Sequence, residues 1–301
     1  MKRVIVTVPA STANLGPGFD CLGLALGLHN TVEMQVLPQG LEVDIEGEGE
    51  GSLPGDASNL IVKAASKLFE KTGKQPPGMR LHAVNRIPLS SGLGSSAAAV
   101  IAGLAAANAL VDGGLSREEL LRLAYELEGH ADNAAAALFG GLNLVSAGAD
   151  ELITRQVPVP DLKVAIALPD LKLSTPQLRE ALPEQVPFCD AVFNLGRTAL
   201  TIEALRTGDH ELLGWSMADR LHQPYRKQFI PGFDAAVAAA RRAGAAAVAL
   251  SGSGPALIAF APSGHERIAQ AMALAFEEAG LAARAYALPV DQQGVRISVV
   301  G

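Results

Sequence analysis

The pattern of hydrophobic and polar positions changes period along the chain, and each change marks an element. Residues 3–8 alternate and are rich in β-branched side chains, which predicts a first strand. Residues 31–37 and 41–46 flank Pro38, Gln39 and Gly40 and predict an antiparallel pair joined by a turn. Ser58 caps a predicted helix that runs to Thr72, and residues 79–85 predict another strand. After Ser95 and Ser96 the pattern becomes apolar and small, a helix running through Leu110. Ser116 and Glu119 have capping-box spacing and open a helix through Leu120, Leu121, Leu123 and Leu127. A strand over 141–146 closes the first half.

Residues 150–160, with two prolines and mixed charge, are the best boundary, which divides the chain into 1–150 and 151–301. Beyond it, strands are predicted over 162–168, 246–250, 256–261 and 283–288. Helices are predicted after a cap at Ser174 or Thr175 and over 192–206, 210–220, 232–243 and 265–280. Strands and helices mixed in both halves, with hairpin-like pairs, predict an α+β fold rather than a doubly wound parallel sheet.

One stretch breaks the periodicity with purpose. Residues 87–99 read I-P-L-S-S-G-L-G-S-S-A-A-A, a turn that opens directly into a helix. Such a junction leaves backbone N–H groups beside the positive end of the helix dipole, a cradle for phosphate. Gly92 and Gly94 let the backbone approach an anion, and Ser95 and Ser96 offer hydroxyls to phosphate or a metal. A helix start packed tightly by small residues reads the same composition. Neither the Lys-Ser/Thr P-loop ending nor G-x-G-x-x-G is present, and the latter's absence disfavours a dinucleotide-binding dehydrogenase.

Composition narrows the class. The 301 residues are 49% hydrophobic but only 4% aromatic, so the interior is built from Ala, Val and Leu. The net charge of −7, with no basic tract, argues against nucleic acid. The N-terminal apolar run is broken by Pro9 too early for a signal peptide, and no apolar run is long enough to span a membrane. Cys21 and Cys189 have no metal-ligand spacing and read as reduced thiols in a cytoplasmic protein.

Four other segments hold candidate chemistry. Residues 9–20 read as a long connection holding Asn14 and Asp20 among turn formers; these two either stabilise turns or hold a hydroxyl and an amine of a small substrate. Residues 126–133, E-L-E-G-H-A-D-N, place four ionisable groups at a helix end. They are a polar terminus, or a carboxylate site for Mg²⁺ with Asp132 positioned to take a proton or orient a hydroxyl. The turn S-G-S-G-P at 251–255 is by itself a tight hairpin. The alternating Glu and Gly of 46–51 read as a solvated turn rather than a metal site.

The run I-P-L-S-S-G-L-G-S-S-A-A resembles the ATP-binding motif of the GHMP kinases. The N-terminal V-P-A-S-T-A-N-L-G-P-G-F-D-C-L-G-L-A-L is similar to the homoserine kinase branch of that family, as are E-G-H-A-D-N, S-T-x-x-x-R and H-Q-P-Y-R. S-G-S-G-P looks like the family's third motif. The resemblance implies a two-domain α+β fold with the active site between domains. It implies transfer of the γ-phosphoryl of ATP to the hydroxyl of L-homoserine, a step toward threonine, and a homodimer. Pro88, Leu89, Ser90, Ser91, Gly92, Leu93, Gly94, Ser95, Ser96, Ala97 and Ala98 would wrap ATP, with Gly252 and Gly254 in the third motif. Ser96 and Glu126 would hold Mg²⁺, with Glu128 as the alternative to Glu126. Asn14, Asp20, His130 and Asp132 would line the substrate pocket, with Thr175, Arg179 and Arg226 opposite. The catalytic set is then Asp132, Asn14 and His130. Homoserine's carboxylate suits a guanidinium fork, Arg179 or Arg226, and its ammonium suits Asp20. The alternatives are a GHMP kinase for mevalonate or shikimate, or a ligand sensor of the same fold that has lost turnover.

Overall fold

The computed structural model describes residues 2–148 and 151–300, so the division expected at residue 150 lies outside the described residues. The first strand does not stop where its alternation does. β1 spans Arg3–Asn14, and only Leu15, Gly16 and Pro17 separate it from β2, Gly18–Leu37. The ladder absorbs Pro9 at a register shift between Pro9 and Ala10, where a missing N–H is tolerated. Most of the expected 9–20 connection is therefore paired sheet. Ser11 and Thr12, polar but small, are fully buried in it.

The expected hairpin of residues 31–46 is not formed. β3, Gly40–Gly47, leads through α1, Leu60–Thr72, to β4, Gly78–Asn85, which lies parallel to β3 and antiparallel to β2. A helical crossover returns the chain in its starting direction, so β4 inserts between β2 and β3. Asn59, one residue after the expected Ser58, caps α1 by accepting the Ile61 N–H at 2.9 Å.

Under this sheet lie α2, Ser95–Leu110, α3, Arg117–Glu128, and α4, Asp132–Phe139. The expected capping box of α3 is present, with reciprocal bonds between Ser116 and Glu119. β5, Leu142–Ala147, pairs with β2 and with β6, Leu152–Val157, which occupies part of the expected boundary. β7, Lys163–Pro169, starts a separate sheet.

Four helices follow: α5, Thr175–Glu180, the long α6, Phe188–Thr207, α7, His210–Ser216, and α8, Gln223–Arg226. Then come α9, Phe233–Arg242, β8, Ala247–Leu250, β9, Leu257–Phe260, α10, His265–Glu278, and β10, Ala283–Pro289. The second sheet has the order β10-β7-β9-β8. β7 is buried on both faces: Val164, Ile166 and Leu168 enter the core shared with the first sheet, while Ala165 and Ala167 pack with α9 and α10. The last strand, β11, Arg296–Val300, returns to pair with β1, so the chain's two ends share one sheet. No helix of the described residues is long and apolar enough to cross a membrane.

Candidate active site

The glycine-rich stretch folds as a cradle around the start of α2. Gly94 is the N-cap, in the left-handed region at φ 69°, and no side chain caps the helix. The first N–H groups of a well-buried helix therefore face an open cleft beside the positive dipole end. Gly92, at φ 78°, touches the S-G-S-G-P turn: a Cβ there would stand 2.2 Å from the Ser251 carbonyl oxygen. A Cβ on Gly94 would stand 2.1 Å from Ser11 Oγ. Both glycines are required by close approach as well as by backbone conformation. Ser251 ties the two turns together, donating to Thr12 Oγ1 or to the Gly92 carbonyl, each at 2.8 Å.

The cleft in front of the cradle has a volume of about 480 Å³ and runs from Ser90 and Gly94 to Glu128, Arg179 and Ser253. An apolar hollow of about 330 Å³ adjoins it across Ser95 and Ser96, walled by Asn59, Ile61, Leu89 and Ala99. At the cleft's other end is a small pocket of about 40 Å³, bounded by Asn14, Asp20, Asp132, Arg179, Arg226, Gly252 and Ser253.

That small pocket is lined by charge. Arg226 is 1% exposed, and burial followed by the nearby Arg179 charge lowers its pKa to about 10, still cationic at neutral pH. It donates only to the carbonyls of Leu178 (3.2 Å) and Gly252 (3.4 Å) and lies 5.1 Å over the Phe19 ring. Among the described residues no carboxylate forms an ion pair with it. Arg179 instead makes a two-pronged pair with Asp20, at 2.8 and 2.7 Å. The two groups expected to hold opposite ends of a substrate thus neutralise each other. Asp132 is buried at the first turn of α4 and accepts the Asn133 N–H at 2.7 Å. His130 Nδ1 lies 3.4 Å from Asp132 Oδ1, and that carboxylate, against the effect of burial, holds the imidazole pKa up.

A cation would find its ligands at the other side of the cleft. Ser96 Oγ donates to Glu128 Oε1 at 2.5 Å, while Glu128 Oε2 is buried with no partner. Burial raises the Glu128 pKa, the mark of a carboxylate waiting for a counter-charge. Hydroxyl plus carboxylate is hard-oxygen chemistry suited to Mg²⁺. Glu126, expected first as this ligand, is not in the cleft: it pairs with Lys67 at 3.0 Å on the exposed side of α3. Two residues along a helix is about 200° of rotation, so Glu126 and Glu128 must face opposite ways.

Two family models match the chain: the GHMP kinases N terminal domain over residues 59–141 and the GHMP kinases C terminal over residues 201–283. The chain is also 47% identical over 261 residues to the homoserine kinase of Carboxydothermus hydrogenoformans, covering 87% of this chain and 86% of that one. It belongs to the GHMP kinase family. The homoserine kinase of Moorella thermoacetica is 45% identical over 278 residues, covering 92% of this chain and 94% of that one. The crystal structure of homoserine kinase from Cytophaga hutchinsonii superposes with a TM-score of 0.90 at 33% identity, covering 98% and 97% of the two chains. An L. major mevalonate kinase shares the fold at 20% identity and a TM-score of 0.73.

In this GHMP kinase, Ser90, Ser91, Gly92, Gly94, Ser95, Ser96, Ala97 and Gly252 line the cleft. Pro88, Leu93, Ala98 and Gly254 stand behind it as support; Pro88 accepts from Ser91 Oγ at 2.7 Å, and Leu93 is fully buried. Thr175 reaches Ser253 Oγ at 3.2 Å, joining α5 to the third motif. Asn14 is already committed on both sides of its amide. It donates to the Gly252 carbonyl at 2.8 Å and accepts the Asp20 N–H at 3.0 Å, so it fixes the pocket before it meets any ligand. Arg179 sits on α5, the helix predicted after Ser174, and Arg226 on the short α8.

No local sequence signal marks the residues that hold the turn at residues 15–17 and the segment that packs on it. Asp219 ends the expected 210–220 helix early by accepting from Leu221, His222 and Gln223 N–H groups and from Asn194. His222, fully buried, bonds through Nε2 to the Gly16 carbonyl at 2.7 Å, and burial lowers its pKa so that it is neutral. The carbonyl can only accept, so Nε2 carries the proton. Asn194 and Thr198 of α6 donate to the Pro17 carbonyl. Cys21 is a free thiol, its pKa pushed up to about 11 by burial and then by Asp132 and Asp20. Away from the cleft, Asp44, Glu46 and His82 form a solvent-facing cluster on β3 and β4.

Proposed function

We propose that the protein phosphorylates the side-chain hydroxyl of L-homoserine with the γ-phosphoryl group of ATP, acting in the cytoplasm as a homodimer. The observation that carries this reading is the buried guanidinium of Arg226, which no carboxylate of the described residues contacts, beside the Asp20–Arg179 pair. A buried cation with no carboxylate in contact is costly, and a ligand carboxylate relieves it. Arg179 supplies a second fork to that carboxylate, which frees Asp20 for an ammonium. An α-amino acid brings both charges. Mevalonate and shikimate bring only the carboxylate and would strand Asp20.

The cradle's N–H groups hold the phosphates, and the nucleobase occupies the apolar hollow beyond Ser95. Ser96 and Glu128 would hold Mg²⁺, which when bound would supply positive charge beside the phosphates. A bound acceptor fills this small pocket and displaces water from it. Asp132, with one carboxylate oxygen bonded to the Asn133 N–H, has its other free to accept the acceptor hydroxyl and aim it at the cradle. Alignment and charge do most of the work in phosphoryl transfer, so Asp132 serves by positioning, and His130 holds that carboxylate in place. The test is ADP release with Mg·ATP and L-homoserine, mevalonate, shikimate or no acceptor. Release with homoserine alone, with phosphohomoserine identified by mass, supports the reading; turnover of another acceptor instead, or none despite ATP binding, rejects it.

A further inference from the structure

The ladder between β1 and β2 slips at its inner end: Ala13 faces Gly23, whereas Asn14 faces Gly18. Residues 19–22 therefore bulge out with no partner on β1, a device common beside active sites. Successive strand side chains normally point to opposite faces. Asp20 leaves extended backbone at φ 55°, with its N–H held by Asn14 Oδ1. Phe19 and Asp20 consequently reach the same guanidinium. Asp20 grips Arg179 through two bonds, and Arg179 Cζ lies 5.5 Å from the centre of the Phe19 ring.

A half-buried phenylalanine ordinarily serves an apolar core, yet Phe19 belongs to neither hydrophobic core of the described residues. Its neighbours are polar. Arg226 Cζ lies 5.1 Å from the ring centre, and the His222 ring, tilted by 32°, stands 5.2 Å away between centres. His222 is fixed in turn by its bond to the Gly16 carbonyl. One ring thus meets both arginines of the acceptor pocket, each within the about 6 Å over which a ring's negative face attracts a cation.

We propose that Phe19 is a positioning residue for the acceptor's carboxylate: its π system holds the Arg179 and Arg226 guanidinium groups together so that both grip one carboxylate. The proposal rests on the homoserine reading above and deepens it. Two guanidinium groups aimed at one point repel, and after burial it is the Arg179 charge that lowers the pKa of Arg226. An aromatic face offsets that repulsion without competing for the ligand, since it accepts no strong hydrogen bond. In the free protein Asp20 holds Arg179, while Arg226 has two carbonyls, the nearer at 3.2 Å. Once a ligand ammonium takes Asp20, the Phe19 ring is the contact that stays on Arg179. Leucine at this position keeps apolar bulk and loses the quadrupole. Ring fluorines weaken the negative face at nearly constant size.

The experiment is steady-state kinetics of the full chain, beside Phe19→Leu and versions carrying monofluoro-, difluoro- or trifluorophenylalanine at position 19. Circular dichroism melts check folding, and the fluorinated rings keep the test open if Phe19→Leu loses the fold. The expected result is a homoserine KM that climbs stepwise with fluorine count to at least about tenfold, and at least as far in Phe19→Leu. The kcat and the ATP KM should stay within about threefold. A homoserine KM that is flat along the fluorine series would overturn the proposal, even if Phe19→Leu raised it, because the ring would then act by volume alone. An equal rise in both substrates' KM would overturn it too. Homoserine turnover with a flat series keeps the functional reading and removes the role of the ring. Turnover of mevalonate or shikimate in place of homoserine removes that reading, and the same series on that carboxylate's KM then decides the role of the ring. Use of no carboxylate acceptor would overturn both.

Discussion

The phosphate cradle and the acceptor pocket lie side by side but are built on opposite plans. The cradle is one contiguous run whose working groups are backbone N–H donors, held by two glycines that cannot carry a Cβ. The pocket is made of side chains from segments as far apart as Asp20 and Arg226, clamped by bonds that span most of the chain. Binding by backbone tolerates most side-chain changes and fails when the turn is distorted. Binding by assembled charge fails one residue at a time and in a substrate-specific way. The contrast predicts which kinetic constant each substitution moves.

The largest effect belongs to Arg226→Met. Loss of a buried charge partner should raise the homoserine KM by two to three orders of magnitude, about 3–4 kcal/mol, and leave the ATP KM within about twofold. Initial rates at varied concentrations of each substrate measure both. Equal loss for the two substrates would break the comparison. Next is Glu128→Gln, which should lower kcat/KM for Mg·ATP by about 100-fold and raise the Mg²⁺ concentration for half-activity. Glu126→Gln, on the outer side of α3, should stay within about twofold.

Gly94→Ala strikes the cradle by strain: its Cβ meets Ser11 and its φ disfavours an L side chain. It should weaken ATP binding by about tenfold or more and lower stability by about 1–3 kcal/mol, measured by calorimetric titration and denaturant melts. Ser96→Ala should lower Mg·ATP turnover by a smaller factor, since Glu128 remains. The smallest effect is one of pH. His222 is neutral when folded, with its pKa lowered, whereas the unfolded chain binds a proton near pH 6.5. Its contribution is thus complete above that pH and is lost as pH falls below it. In His222→Gln the melting temperature should fall less between about pH 7 and pH 5 than in the wild type.

What could be read from the chain alone follows the same division. The cradle was legible because its parts are adjacent and its physics is local: turn, glycines, helix start. Of the pocket's members, Asn14, Asp20 and Asp132 stood out as polar groups among turn formers and at a helix end, Arg179 and Arg226 only through likeness to a family, and their pairing not at all. Nothing in the spacing of Asp20 and Arg179 says that they grip each other. Nor does any local signal mark Asp219, whose role lies in four bonds made through space. Glu126 and Glu128 were separable in principle, since helix rotation sends them to opposite faces, but not which face meets the cleft. The 31–46 hairpin misled because two alternating runs across a Pro-Gly turn look alike whether or not a later strand inserts between them. The return of β11 to β1 had no signal short of the whole topology.

The most direct test of the pocket's charge logic is a comparison of kcat/KM for L-homoserine, γ-hydroxybutyrate, which lacks the amine, and 3-aminopropanol, which lacks the carboxylate. If the ligand must replace both halves of the Asp20–Arg179 pair and satisfy Arg226, each analogue strands a buried charge and should fall by at least about a thousandfold. Turnover of either analogue within about tenfold of homoserine would contradict the account.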